Sequence, residues 1–343
     1  MNKLIFKTAL FAYINSICFR NFSPTCVKIS KIYNNNIVVD SKCSCISHDK
    51  LQRLLQMEQK WNLFLKQKYG HLISKKFDLN YNKSKRKKTF LIIDDTMLAK
   101  PFSKELELLT WVYSPSDKKS LLGLNAVFVI WTDGNTRFPI GFRLMNIDDK
   151  KSRIDLAMDI LKDAKNFYKV NPDYVLMDSF YPAAKLLKLI RKFRWHWIAK
   201  IKSNRLINDV QVKDFFSYRY GNKTGQMYQK KVRVKVKVTK QNDNYWATSD
   251  IKLESSIIRK LYRKRQIIEE FFKILKSELM IEGCPSRTKT AQVNHIYFVL
   301  IAFCQLEEFR IKKNITTIYK IRLVLLDCII QKNLKWNLKS NIF

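Results

Sequence analysis

The chain reads as an α/β protein built on a mixed sheet with flanking helices. Three observations carry that reading. From Thr89, three apolar, strand-like runs follow one another across short turns: TFLIIDDT (89–96), LLGLNAVFVIWT (121–132) and FPIGFRLM (138–145), the last after Asp133-Gly134-Asn135. The order then becomes a helix (152–168), the strand YVLM (174–177), a helix (183–192) and a strand (197–201). Strands joined by short turns and then strand–helix–strand alternation make a mixed sheet. Lastly, Val232, Val234, Val236 and Val238 alternate with Arg233, Lys235, Lys237 and Thr239. That period of two is a half-buried strand with a basic open face, inside a β-rich insertion at about 204–250. The open face is either solvated or laid along a polyanion.

A length of 343 residues, with 46% hydrophobic and 13% aromatic residues, is ample for packed cores and excludes a disordered basic tail. Lys and Arg number 65 against 29 Asp and Glu, a net charge of +36. Self-repulsion on that scale points to a polyanionic partner: nucleic acid, an acidic membrane surface or an acidic protein. A Lys-, Asn- and Ile-rich compositional bias explains part of the excess. It does not explain the interleaving of aromatic and basic residues in Tyr218-Arg219-Tyr220 and in Tyr262-Arg263-Lys264-Arg265. A basic membrane-surface protein is disfavoured because no long basic amphipathic helix stands apart from the core.

Residues 1–82 read as a helical N-terminal region, expected to be a small DNA-binding unit although it carries no clean helix-turn-helix signature. Leu4, Ala9, Leu10, Ala12, Tyr13, Ile14 and Ile17 suit one short helix. Tyr13, Asn15, Ser16 and Arg20 interrupt the apolar run, so an amphipathic helix is favoured over a signal peptide. Ser47 suits an N-cap and Asp49 a first turn, opening a helix over LQRLLQMEQKWNLFLKQKY (51–69). The adjacent Ser47, His48 and Asp49 are therefore a cap and not a hydrolase triad, whose members converge from distant parts of a fold. The run NKSKRKK (82–88) marks a boundary. A catalytic domain spans 83–308 and a helical tail 309–343. The seven cysteines form no CxxC pair and read as reduced thiols. No run approaches the ~20 apolar residues of a membrane span, and the chain is expected in the cytoplasm, or in a nucleoid or organellar equivalent.

The chemistry concentrates in LYRKRQIIEEFFKILKSEL (261–279). Tyr262, Arg265, Glu269 and Lys276 are separated by two, three and six residues. On one helix, at about 100° per residue, they share an arc of about 60°. Ile258, Leu261, Ile268, Phe272, Leu275 and Leu279 form the apolar stripe beside them. One acid among phosphate-seeking groups needs acidic partners to hold metal ions, and two strand ends supply them: Asp94-Asp95-Thr96 and Asp178. An acid that follows buried apolar residues sits at the rim of a sheet, close to solvent and rigidly held.

Together, IIDDT (92–96), YVLMDSFY (174–181) and Tyr262-x2-Arg265-x3-Glu269-x6-Lys276 resemble the bacterial insertion-sequence transposases of the DDE superfamily. The likeness is to the group with a Tyr-Arg-Glu-Lys signature and covers roughly residues 45–308. It implies a ribonuclease H-like core in which a β-rich insertion precedes the helix bearing the last acid. The family's catalytic and metal-binding acids fall on Asp95, Asp178 and Glu269. Asp95 is preferred to Asp94 for its place directly before Thr96. Strand parity leaves Asp94 open, because Phe90, Leu91, Ile92 and Ile93 are apolar on both faces. Tyr262, Arg265 and Lys276 are the implied DNA-phosphate contacts.

The resemblance further implies two Mg²⁺ ions, with Mn²⁺ able to substitute, and DNA partners comprising element ends and target. It also implies a homodimer when synapsed on DNA, and end cleavage followed by strand transfer. A ribonuclease H-like nuclease or resolvase without strand transfer is the alternative enzyme. A decayed, DNA-binding-only remnant is the alternative non-enzyme.

Overall fold

The structure is a computed structural model that describes residues 3–19, 25–37, 46–74, 87–103, 105–114, 119–229 and 232–321. In chain order the elements are helices α1 (Lys3–Phe19), α2 (Cys26–Ile37), α3 (His48–Gln56), α4 (Trp61–Tyr69) and α5 (His71–Ser74). Strands β1 (Phe90–Ala99), β2 (Thr110–Ser114), β3 (Lys119–Thr132) and β4 (Arg137–Leu144) come next. Then come α6 (Arg153–Asn166), β5 (Tyr174–Met177), α7 (Ala184–Lys192) and β6 (His196–Ile201). The insertion contributes β7 (Leu206–Ile207), β8 (Val210–Gln211), β9 (Tyr220–Gln229), β10 (Val232–Gln241) and β11 (Asn244–Thr248). The chain continues as α8 (Ser255–Tyr262), a 3-10 turn (Arg263–Arg265), α9 (Gln266–Ser277) and α10 (Lys289–Lys312). The expected helical tail lies, from residue 322, outside the described residues, as do Cys43, Cys45, Cys328 and residues 82–86 of the basic run.

The chain divides into two compact units. One comprises Met1–Gly70, Leu98–Gly123 and Phe272–Phe343. In it, α10 packs against α1, α3 and α4, so the chain's last described long helix builds a core with its first ones. The expected single helix over 51–69 is broken between Gln56 and Trp61, and Asn294 of α10 sits at that break. Its amide donates to the carbonyls of Leu55 and Met57, at 2.8 Å each, and its Oδ1 accepts from Trp61 Nε1 at 2.8 Å. A side chain on a distant helix thus satisfies carbonyls orphaned where α3 ends. Ser47 caps the other end of α3 by accepting from Lys50 N. Tyr13, fully buried, donates to or accepts from His295 Nδ1 at 2.9 Å. In this unit β2, not anticipated from sequence, pairs antiparallel with the Lys119–Gly123 end of β3.

The other unit comprises His71–Met97 and Leu124–Phe271. Its strands run in the order β3-β1-β5-β6-β11-β10-β9-β7-β8, with β4 paired to β3. The β1–β5 and β5–β6 pairs are parallel. The β3–β4 pair is antiparallel, as are the pairs β6–β11, β11–β10, β10–β9, β9–β7 and β7–β8. The mixed α/β sheet expected from the sequence is therefore present. The insertion does not form a separate lobe: β11 pairs with β6, Tyr245 opposite Ile201 through Thr248 opposite Ile198, and so continues the sheet. Helix α6, opened by a Ser152–Asp155 capping box, packs on β4 and α7. Among the described residues no helix is long and apolar enough to cross a membrane.

Asn294→Ala would leave two carbonyls and the Trp61 indole without their partner in a buried place. At roughly 1–3 kcal/mol per orphaned group, urea unfolding should show a loss of about 3 kcal/mol or more. A change within experimental error would show that water replaces the amide without cost.

Candidate active site

Two parallel strands bring their buried residues to the same level, and an acid follows on each; β5 ends there, whereas β1 does not stop at Asp94-Asp95-Thr96 as expected but runs on to Ala99. Phe90, Leu91, Ile92 and Ile93 of β1 stand in register with Tyr174, Val175, Leu176 and Met177 of β5, and all eight are buried. The next residues are Asp94 and Asp178. Neighbours at the same level of a parallel pair share a face; continued one residue past its last pair, Ile93 with Met177, this register sets Asp94 beside Asp178, whose charge acts on the Asp94 carboxyl, and turns Asp95 to the opposite side.

The hydrogen bonds agree with that parity. Asp94 Oδ2 accepts from Arg265 Nη1 at 2.6 Å, and Arg265 Nη2 donates to Glu269 Oε1 at 2.6 Å. Asp95 is held elsewhere: Oδ2 accepts from Arg153 Nη1 and Oδ1 from the Tyr181 hydroxyl, both at 2.8 Å. Asp178 Oδ1 accepts from the backbone N–H of Phe180 at 2.9 Å, which fixes the loop after β5.

Arg265 reaches this point because of its backbone. Helix α8 packs on β6 and β11, and the 3-10 turn lies against β5. The continuous helix expected over 261–279 is thus interrupted, and the turn shifts the phase of α9 relative to α8. Phe271 and Ile274, outside the expected stripe, are buried, whereas Leu261 is only half-buried. Phe271 meets Phe128 of β3 edge-on, with centroids 6.1 Å apart. With Ile268 also buried, this face of α9 is anchored, and Glu269 stays 54% exposed while Asp94 and Arg265 retain 17% and 18%. Lys276 lies seven residues beyond Glu269 on α9, in the compact unit that contains Glu282, whose Oε1 is 3.5 Å from its Nζ.

The electrostatics are those of a crowded acidic site. Burial pushes the Asp94 carboxyl up to about 6; Asp178 and Asp95 add to this and Arg265 opposes it. Burial works against the charge on Arg265, but Asp94, Tyr262 and Glu269 outweigh it and raise its pKa. The Tyr262 phenol is raised to about 12 by burial, with Arg265 lowering and Asp178 raising it. Its ring stands 6.4 Å from that of Trp246. Burial also drives the Tyr181 phenol far above its ordinary range, with Asp95 adding to the effect.

Hard carboxylate oxygens are the donors here, a set that suits a divalent cation such as Mg²⁺ or Mn²⁺. Among the described residues no three His, Cys, Asp or Glu side chains are grouped as a ready metal cluster; the Arg265 guanidinium bridges Asp94 and Glu269 instead. Arg153 and Tyr181 had no signal in the sequence beyond the place of Tyr181 in YVLMDSFY (174–181), because their partner Asp95 is reached only through the folded sheet.

Fold and site define a mixed α/β domain with acids from the middle of one strand, from just past the end of its parallel neighbour and from a following helix, the first and last of them bonded to one arginine. The family model of the transposase DDE domain matches residues 85–304, and the chain belongs to that family. No curated protein matches the chain significantly.

The pH dependence of stability follows from Asp94. Its carboxyl has an ordinary value of 3.8 and is raised to about 6 in the folded chain, so folding favours the protonated form. The stabilisation is full below about 3.8 and is lost as pH rises through about 6. In Tm measurements with a chelator, Asp94→Asn should gain on the wild type between pH 4 and 6.5 and hold a constant offset above that. A pH-independent offset would contradict the assignment.

Proposed function

We propose that the chain is a ribonuclease H-like DDE transposase of the Tyr-Arg-Glu-Lys group, binding insertion-sequence ends and catalysing metal-dependent cleavage and strand transfer. The observation that carries this reading is the shared face of Asp94 and Asp178, with Arg265 bonded to both Asp94 and Glu269. The family match supports it. So does the element order: three core strands (β1, β3, β4), α6, β5, α7 and β6, then the β insertion before the helix that bears Glu269.

Asp94, Asp178 and Glu269 would hold two Mg²⁺ ions. Such ions would supply activation of a water or 3′-hydroxyl nucleophile and charge stabilisation of the leaving oxygen of a phosphodiester. Asp94, protonated up to about pH 6, must release its proton to serve as a ligand. The motif order favours Asp95 as the first ligand, whereas the geometry favours Asp94. Both Asp95 oxygens are engaged by Arg153 and Tyr181, and Asp95 fits the role of tying the middle of β1 to the start of α6 and the loop after β5. The Arg265 fork, 18% exposed, suits the non-bridging oxygens of a phosphate. Tyr262 contributes a buried ring and phenol beside it, and Lys276 a point charge further along α9. The N-terminal helices are assigned to end recognition. A homodimer on DNA and a cytoplasmic setting complete the reading.

Cleavage of a terminal-repeat oligonucleotide with Mg²⁺ tests the site. Asp94→Asn, Asp178→Asn and Glu269→Gln should each lower the rate by a factor on the order of 10³ or more while duplex binding in a chelator stays within about threefold. Asp95→Asn, with its Tm checked, should retain activity within about tenfold. Loss with Asp95→Asn and retention with Asp94→Asn would return the first ligand to Asp95. Retention in all four would remove the metal-site reading, and cleavage without joined products would mark a nuclease.

A further inference from the structure

The β9–β10 ribbon has two unlike faces. One is covered. Val236, Val238 and Met227 are buried, and the β7–β8 hairpin pairs along the edge of β9 with the Ile207 side chain against Gly225, where a Cβ would come within 2.5 Å of Ile207 Cγ2. That hairpin turns at Asn208 and Asp209, both at positive φ, as a two-residue turn requires. Asn208 ties it down, its N–H donating to Gln226 O at 2.9 Å and its Oδ1 accepting from Gln226 N at 2.7 Å.

The other face is open and basic. Arg233 and Lys235 are exposed and Lys237 half-buried. Thr224 stands opposite Lys237, Asn222 opposite Thr239 and Tyr220 opposite Gln241, all on this same face. Thr224 and Asn222 are exposed, and Tyr220 is 60% exposed. Residues 215–242 contain Arg219, Lys223, Lys230, Lys231, Arg233, Lys235, Lys237 and Lys240 and no acid at all.

This face also leads to the candidate active site. Thr239, next in the row after Lys237, bonds through Oγ1 to Ser255 Oγ of α8 at 3.3 Å. Trp246, opposite Thr239, meets the Tyr262 ring. Alternate strand residues are about 7 Å apart, a step comparable to that between successive phosphates of an extended nucleic-acid strand. Three cations in such a row, flanked by neutral hydrogen-bonding side chains, complement a phosphate backbone better than they do any apolar or acidic protein surface.

We propose that the open face of the β9–β10 ribbon, led by Arg233, Lys235 and Lys237, is a sequence-independent phosphate track for the DNA flanking the cleaved position, running outward from Tyr262. This rests on the DNA-cleaving reading above. The track supplies affinity and register without reading bases.

The test uses the full chain, a fluorescent random-sequence duplex and a chelator, so that binding is read without cleavage. Anisotropy titrations from 50 to 300 mM KCl compare the wild type with Arg233→Ala/Lys235→Ala/Lys237→Ala. A control variant, Lys188→Ala/Arg191→Ala/Lys192→Ala, removes the same charge from exposed positions on α7. The ribbon variant should keep its Tm, bind at least tenfold more weakly at the lowest salt, and lose about 2–3 from the slope of log K against log salt. The control should lose less than 1 from that slope. An unchanged slope in the ribbon variant overturns the track but leaves the cleavage reading standing, and an equal loss in the control reduces the binding to diffuse charge. If the ribbon variant loses binding only to phosphatidylserine vesicles, the face is a lipid surface. If the wild type binds no duplex at all, the track and the cleavage reading fall together.

Discussion

Everything in the candidate site depends on one arginine among acids. Asp94 follows four buried residues of β1 and is held within that strand, and burying a carboxylate there without a counter-charge is costly. Arg265 meets that demand, but only because the chain is bent at Arg263–Arg265 and pressed against β5. Once its guanidinium is committed to Asp94, its second nitrogen finds Glu269 four residues on. The position of the last acid is thus a consequence of satisfying the first. The same fork that holds two carboxylates has the planar, two-pronged shape that also suits phosphate oxygens.

The sheet was legible in the sequence wherever the signal was local. Runs such as Phe90–Ile93 and Tyr174–Met177, and the alternation from Val234 to Val238, are set by burial on one or both faces. Burial is what hydropathy records. Candidate acids could be picked out too, because an acid directly after such a run has few places to go. What could not be read was which of Asp94 and Asp95 shares a face with Asp178. With apolar residues on both faces of β1, its own pattern carries no parity. The answer lies in the register with β5, a contact between residues 84 apart such as Ile93 and Met177.

The breaks in the helices were hidden for a related reason. Tyr262 to Lys276 is rich in good helix formers and holds neither Gly nor Pro, so nothing local announces the 3-10 turn. Tertiary packing imposes it, since Phe271 must face Phe128 while Arg265 faces Asp94. At the other break, between α3 and α4, the cause is 237 residues away in Asn294. In both cases a distant partner outweighs propensity, which is worth only tenths of a kcal/mol per residue.

The way the insertion is rooted has an evolutionary side. The chain leaves the core at Ile201 and returns at Tyr245, and these two residues are paired neighbours. Entry and exit lie one strand apart, and the lead into α8 starts from the returning strand. Segments between those points can therefore lengthen, shorten or be exchanged without altering where Tyr262, Arg265 and Glu269 are delivered. A docking port of this kind lets the surface of the insertion diversify at its own pace while the arrangement of side chains beside it stays fixed.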